Sequence, residues 1–463
     1  MAEAKTIHDV VQRQREFFMT GATLDVDYRV DALKRLRASI KAHEKDIADA
    51  LYKDLRKSEL ESYMSETGMV LDEIKYELKH IRKWSRTKRV NTPIAQFLSK
   101  SFVVPEPYGV VLIMAPWNYP VQLCLEPLVG AVAAGNTAIV KPSAYAPQVS
   151  RCLANIVAKV FPSEHVAVVE GGREQNTQLL EEKFDYIFFT GSEAVGRIVM
   201  EKASKHLTPV SLELGGKSPV IVDGTANLEV SARRLAFGKY LNAGQTCVAP
   251  DYLLIERSVK DNFLECFKKA GAGFFPKGDF SNMPVIVNDK HFKRLMDVVD
   301  ASKAKGAKVF LGGKGDVGSR FIEPTVLDDV TWDSPIMEQE IFGPILPVIE
   351  YDELDDVLDT IKRRPRPLAL YLFSNDKAVQ RKVLSSVPYG GGCVNDTIIH
   401  LATPYMGFGG VGESGMGSYH GKRSFDTFTH YKSIVKKSNV IDLPMRYHPY
   451  SKRKLDFMRK VMK

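Results

Sequence analysis

From Asp27 to about Ser85 apolar residues recur at helical spacing in a charged background: Leu33, Leu36 and Ile40, then Ile47 and Leu51, then Leu71, Ile74, Leu78 and Ile81. This spacing predicts long amphipathic helices, uninterrupted by proline. Pro93, Pro105 and Pro107 mark a less regular connector after them. Between Gly109 and Leu214 the pattern changes to short apolar runs alternating with helical stretches. Residues 110–115, 137–141, 166–169 and 186–190 read as buried strands, and 121–134, 147–160 and 193–206 as helices. The alternation predicts right-handed βαβ units and a largely parallel sheet. Ligands of such sheets bind beyond the carboxyl ends of the strands, which directs attention to the segments after Ala115, Lys141 and Thr190. A second α/β block runs from Val220 to about Val394, with strand candidates at 252–255, 309–311, 345–349 and 369–373 and a boundary near Glu213.

Composition narrows the class. With 463 residues, 44% hydrophobic and 26% charged, the chain reads as a folded protein of two or three domains, not a stapled module, a disordered chain or a coiled coil. The net charge of +8 is carried by residues 431–463, where ten Lys/Arg face only Asp442 and Asp456. A neutral body with a basic tail argues against a nucleic-acid partner. Five cysteines, widely spaced and without a CxxC pair, predict neither a disulfide framework nor a metal site. No apolar h-region opens the chain, and no apolar stretch approaches the roughly 20 residues of a membrane span, so a reducing cytoplasmic location is expected.

Four segments carry candidate chemistry. Thr190-Gly191-Ser192, with Gly196 in the following helix, is either a strand-to-helix anion site or a plain tight turn; it is neither GxGxxG nor a Walker loop. Cys247, in Asn242-Ala-Gly-Gln-Thr-Cys247, is either a small buried hydrophobe or, given its polar setting, an accessible nucleophile. Glu213 lies in the strand-like run 210–214. It either points outward by alternation or faces inward, where burial would raise its pKa and suit it to base work. Asn118, in Pro116-Trp-Asn-Tyr-Pro120, either caps the helix starting near Val121 or donates to a developing oxyanion.

Taken together, PWNYP (116–120), KPS (141–143), FTGSEAVG (189–196), LELGGKSP (212–219), GQTCVAPDY (244–252) and EIFGP (340–344) resemble the aldehyde dehydrogenase superfamily over nearly the whole chain. Asn395-Asp396 and FGGVGESGMGSYHGKRSFDTF (408–428) are most similar to its class 3 branch.

The resemblance implies an α/β fold in three parts. Residues 1–83 and 108–212 would form a Rossmann-like parallel-sheet cofactor domain, 213–396 an α/β catalytic domain, and 84–107 with 397–440 a small β oligomerisation segment. A basic tail, 441–463, follows. It implies Cys247 as nucleophile, Asn118 with the Cys247 backbone N–H as oxyanion hole, and Glu213 as the base that activates water. The cofactor, NAD or NADP, would be met by Lys141 and Ser143 on the adenosine-ribose side and by Gly191, Ser192 and Gly196 at the pyrophosphate. Glu340 and Phe342 would meet the nicotinamide ribose, with Trp117 on the same cofactor-facing segment. Ala144 stands where many NAD-preferring relatives carry Glu, which removes a reason to exclude NADP.

A homodimer and medium- or longer-chain aliphatic or aromatic aldehydes are expected by analogy, with Tyr119, Asn395 and Phe408 near the pocket. The basic tail is expected to be solvated or packed on a subunit, with weak contact to anionic membranes as the other reading. Acylation of coenzyme A, a non-catalytic structural role and a cysteine hydrolase are the competing functions. Glu213 argues against the first, intact Cys247, Glu213 and Asn118 against the second, and the cofactor motifs against the third.

Overall fold

The computed structural model describes residues 6–442 and 444–462. Of the N-terminal and tail assignments, residues 1–5, 443 and 463 lie outside them.

The predicted apolar stripes are the inner faces of three helices, Val26–Ala42, Glu44–Leu55 and Gly68–Trp84. Leu33, Leu36, Ile40, Ile47, Leu51, Ile74 and Ile81 are buried, and Leu78 is half-buried. These helices pack on Gln122–Ala134 and Pro147–Val160, so Gln122–Ala134 is covered on all sides and is apolar around its circumference. Between Glu44–Leu55 and Gly68–Trp84 the chain makes a widened π turn, Tyr63–Thr67, which the apolar spacing did not announce.

A six-stranded sheet has the order Gly415–Met416, Val210–Glu213, Tyr186–Thr190, Val110–Met114, Thr137–Lys141, Val166–Val168. All neighbours are parallel except the Gly415–Met416 edge, which pairs antiparallel with Val210–Glu213. That edge comes from the stretch assigned to the oligomerisation segment, so this part of 397–440 completes the first sheet. A seven-stranded sheet runs Lys308–Leu311, Thr325–Asp328, Ile345–Tyr351, Tyr252–Glu256, Pro219–Val222, Ala369–Phe373, Gly391–Val394, antiparallel only at its first pair.

The connector expected around Pro105 and Pro107 is instead a nine-residue strand, Ser99–Pro107, central in an antiparallel sheet with Lys88–Val90 and Thr429–Lys437. Lys88–Val90 covers only Ser101–Val103, whereas Pro105 and Pro107 pair with Thr429–Lys437 alone. A strand residue with a neighbour on one side can dispense with its N–H, and there proline is tolerated.

Past this sheet, a helix at Lys452–Val461 is capped by Ser451 and leaves Leu455 and Phe457 exposed. Among the described residues no helix is long and apolar enough to cross a membrane.

Candidate active site

Three parallel strands end at one rim of the six-stranded sheet. At the end of Thr137–Lys141, the buried Lys141 ammonium donates to the carbonyls of Pro142 and Gly171, each at 2.6 Å. The Ser143 hydroxyl accepts the Tyr145 N–H at 3.2 Å and shapes the turn, beside an exposed Ala144. At the end of Tyr186–Thr190 the Thr190 hydroxyl is buried without a partner.

Gly191 donates its N–H to the Glu213 carbonyl at 3.0 Å, and Ser192 starts the helix Glu193–Ser204 without capping it through its side chain. Open first-turn N–H groups at a helix start suit an anion. A Cβ on Gly196 would lie 2.7 Å from Leu214, so glycine lets this helix approach the Val210–Glu213 strand. The orphaned Thr190 hydroxyl, the uncapped helix start and the close Gly196 packing fit a dinucleotide laid across this rim.

Cys247 lies on a loop between the helix Leu228–Tyr240 and the strand Tyr252–Glu256. The chain reaches it through three successive left-handed residues, Asn242, Ala243 and Gly244, with φ of 51°, 52° and 72°. At Gly244 a Cβ would fall 2.2 Å from the Gly343 carbonyl, so only glycine fits. Gln245, fully buried, fixes the loop: its amide N donates to Asn242 and Val285 carbonyls and its Oε1 accepts the Val287 N–H. The Cys247 thiol is half-buried. Burial pushes it up to about 12, with the carboxyls of Glu340 and Glu213 adding to the effect, while its own N–H and that of Val248 favour the thiolate.

Asn118 follows the strand Val110–Met114 and reaches this loop, its Nδ2 donating to the Gln245 carbonyl at 3.1 Å. Its Oδ1, the atom that would make a cap, has no partner. The first N–H groups of the neighbouring helix, those of Val121 and Gln122, go to Glu66 Oε2 at 2.8 and 3.2 Å, and the helix has no side-chain cap from Asn118. One N–H of the Asn118 amide remains to be given elsewhere.

Glu213, the last residue of its strand, faces inward with 2% exposure, and neither carboxyl oxygen has a partner. Desolvation raises its pKa well above the usual carboxylate range. Gly409 would bring a Cβ to 3.1 Å from Oε1, so the carboxyl lies against bare backbone.

Glu340 rests its carboxyl on Gly215, where a Cβ would sit 2.1 Å away. Burial raises it to about 8, helped by Asp251 and opposed by the Gly216 N–H, Lys217 and Arg294. Two residues on, Phe342 adopts a left-handed φ of 53° and meets the half-buried Trp117 edge-on at 5.5 Å, and Trp117 also packs on His291 at 5.6 Å. The carboxyls of Glu340 and Glu213 lie close enough to act on the Cys247 thiol, Asn118 bonds the loop that carries it, and Trp117 meets Phe342, while Lys141, Ser143, Gly191, Ser192 and Gly196 lie at or just beyond strand ends of the six-stranded sheet.

A sequence profile of the Aldehyde dehydrogenase family matches residues 1–434. The chain belongs to the aldehyde dehydrogenase family.

Among relatives, it is 48% identical to the 4,4'-diaponeurosporen-aldehyde dehydrogenase of Staphylococcus aureus, covering 94% of this chain and 95% of that one. It is 42% identical to the dimeric NADP-preferring aldehyde dehydrogenase of Canis lupus familiaris, covering 96% and 98%. A solved structure described as the substrate-bound state of Staphylococcus aureus AldH superposes with a TM-score of 0.97 at 47% identity, covering 99% of this chain and all of that one.

Around this aldehyde dehydrogenase site are residues that the motifs did not single out. Lys217 Nζ holds Asp251 at 2.5 Å and the Ile336 and Gln339 carbonyls at 3.0 and 2.9 Å. Asp251 accepts the Ile341 N–H at 2.8 Å, and Arg294 donates to the Glu340 and Ile341 carbonyls. The loop bearing Glu340 and Phe342 is therefore held from three elements. Lys217 and Asp251 do fall inside the quoted LELGGKSP and GQTCVAPDY blocks, so their only signal was position. Arg294 had none.

Proposed function

We propose that this aldehyde dehydrogenase converts an aldehyde to the carboxylic acid through a covalent Cys247 intermediate, using NAD or NADP. The observation that carries the proposal is the convergence on one region of a half-buried thiol, a buried and unpartnered carboxyl, and an amide with a spare N–H, at the end of a rim built for a dinucleotide.

The Cys247 sulfur, once deprotonated, adds to the carbonyl carbon and forms a thiohemiacetal. Its oxygen takes the developing charge and is met by Asn118 Nδ2 and the Cys247 N–H. A nicotinamide cofactor, when bound, supplies the hydride acceptor. With the hydride gone, the carbon on Cys247 is a thioester. Glu213 takes a proton from water, the resulting hydroxide adds to the thioester carbon, and the C–S bond breaks to release the acid and restore Cys247. The left-handed run through Asn242–Gly244 and the Gln245 anchors keep the sulfur in place through both halves.

Lys141 and Ser143 would meet the adenosine ribose, Gly191, Ser192 and Gly196 the pyrophosphate, and Glu340 with Phe342 the nicotinamide ribose. We read residues 1–83 and 108–212 as the cofactor domain, 213–396 as the catalytic domain and the three-stranded sheet as the oligomerisation segment of a homodimer; the dog relative's description as dimeric supports this. The exposed apolar Leu60, Tyr63 and Met64 are sequence neighbours of Glu61, which accepts the N–H of Asn242 on the segment leading to Cys247. They favour an aldehyde with a long apolar body, in keeping with the name of the Staphylococcus relative.

The test is ultraviolet absorbance of reduced cofactor with aldehydes of increasing chain length, each with NAD and with NADP. Reduction with at least one pair supports the proposal, and no reduction with any pair overturns it.

Exposed Ala144 leaves room for a 2′-phosphate. Ala144→Glu is expected to lower kcat/KM with NADP at least about 10-fold relative to NAD, by placing a carboxylate where that phosphate would lie. An unchanged NADP/NAD ratio would place the phosphate elsewhere.

A further inference from the structure

Behind Asn118 lies an ion pair that no step above uses. Lys57 and Glu66 are both fully buried, with Nζ and Oε1 2.5 Å apart. Local sequence brings them inside. Arg56 ends the helix Glu44–Leu55 in the left-handed conformation, with φ 57°, and Ser58 caps the next short helix, so Lys57 is turned inward. Glu66 sits in the π turn Tyr63–Thr67, whose wider backbone presents it to the start of Gln122–Ala134.

The lysine is held on three sides. Nζ meets Glu66, donates to the Asn118 carbonyl at 2.9 Å, and lies 4.0 Å from the centre of the Tyr119 ring, whose hydroxyl is 2.6 Å from Thr246 Oγ1 beside Cys247. The second Glu66 oxygen takes the Val121 and Gln122 N–H groups. The pair thus grips residues 118–122 at both ends, through the carbonyl of Asn118 and the amides that follow. Asn242 Nδ2 adds a second donor to the same carbonyl, at 2.8 Å.

We infer that Lys57 and Glu66 are positioning residues for the oxyanion hole: their buried pair fixes the backbone of Asn118 so that its spare N–H points at the site. This rests on the reading of Asn118 given above. A purely structural pair would support the fold without acting through that amide.

Single removal of one partner strands a buried charge, so the test replaces both. Lys57→Met with Glu66→Gln keeps volume and removes both charges. Hydride transfer is followed in single turnovers for the wild type, the double variant, Asn118→Ala and the combination.

Asn118→Ala is expected to slow the step by about 10²–10³-fold, and the double variant by at least about 10-fold, with cofactor KM and the alkylation rate of Cys247 by iodoacetamide within about 2-fold of wild type. In the Asn118→Ala background the double variant should add less than about 2-fold, because its effect passes through the missing amide. Full multiplication of the two effects, or a silent double variant beside an impaired Asn118→Ala, overturns the inference and leaves the oxyanion reading standing. A silent Asn118→Ala overturns both.

If the double variant does not fold, Glu66→Asp asks the same question with charge retained, since one methylene fewer draws the carboxylate away from the amides. A loss of hydride transfer that vanishes in the Asn118→Ala background supports the inference, and an equal loss in both backgrounds overturns it.

Discussion

Replacing Cys247 by Ala is expected to abolish aldehyde-dependent cofactor reduction, lowering turnover by more than about 10⁴-fold, because an aldehyde offers no leaving group until a covalent adduct lets hydride depart. The substitution removes one half-buried sulfur from a loop held by Gln245, Asn118 and a left-handed turn, none of which the sulfur supports. Cofactor affinity, read from quenching of tryptophan fluorescence, should therefore stay within about 2-fold of wild type, since the nucleophile does no ground-state binding. Turnover above about one part in a hundred would mean that another group captures the substrate.

Glu213→Gln is expected to lower steady-state turnover by about 10²–10⁴-fold while leaving a rapid burst of reduced cofactor, close to one per active site. The burst persists because capture and hydride departure precede the need for a base, and the acyl-enzyme then waits for water. Loss of the burst together with the steady state would assign Glu213 to the first half-reaction instead.

The same carboxyl sets the direction of a pH effect. Desolvation holds its folded pKa well above the ordinary 4.5, and a protonated base cannot accept a proton. Turnover should rise with pH above the ordinary carboxylate range, and more so because the Cys247 thiol is also held high. Stability moves the other way. The folded state binds this proton more tightly than the unfolded chain, so the stabilising share of Glu213 is complete below the ordinary carboxylate value and is lost as pH rises towards the folded one. Melting at pH above the ordinary carboxylate value should therefore depend less on pH in Glu213→Gln than in wild type. An equal dependence would show the proton to be shared with other buried carboxyls.

Local sequence revealed the strands that are buried on both faces, because they read as uninterrupted apolar runs. Thr137–Lys141, Tyr186–Thr190 and Ala369–Phe373 occupy the predicted residues. Where a strand has only partial cover the pattern fades: Ser99–Pro107 alternates weakly and contains prolines, and Gly391–Val394 is half-buried at a sheet edge.

For the site itself, the motifs located Cys247, Glu213 and Asn118, yet local pattern left each with an ordinary alternative. For two of them the outcome turns on distant partners: Glu66 takes the helix N–H groups that Asn118 could have capped, and Gly409 and Gly415 lie against Glu213 from about two hundred residues away. Lys57 and Glu66 themselves look like members of a solvated charged run, since nothing nearby in sequence reports that both are enclosed by helix packing.

The pairing of Gly415–Met416 with Val210–Glu213 also orders events during synthesis. All five parallel strands of the six-stranded sheet have been made once residue 213 has emerged, and the Cys247 loop is made soon after. The Glu213 carboxyl, however, acquires its desolvated setting only when residues 409–416 return to cover that edge. A prematurely ended chain lacking them would keep Cys247 but leave the Glu213 carboxyl open at that edge. Enclosure of that carboxyl is thus a late, long-range closure, joining residues about two hundred positions apart.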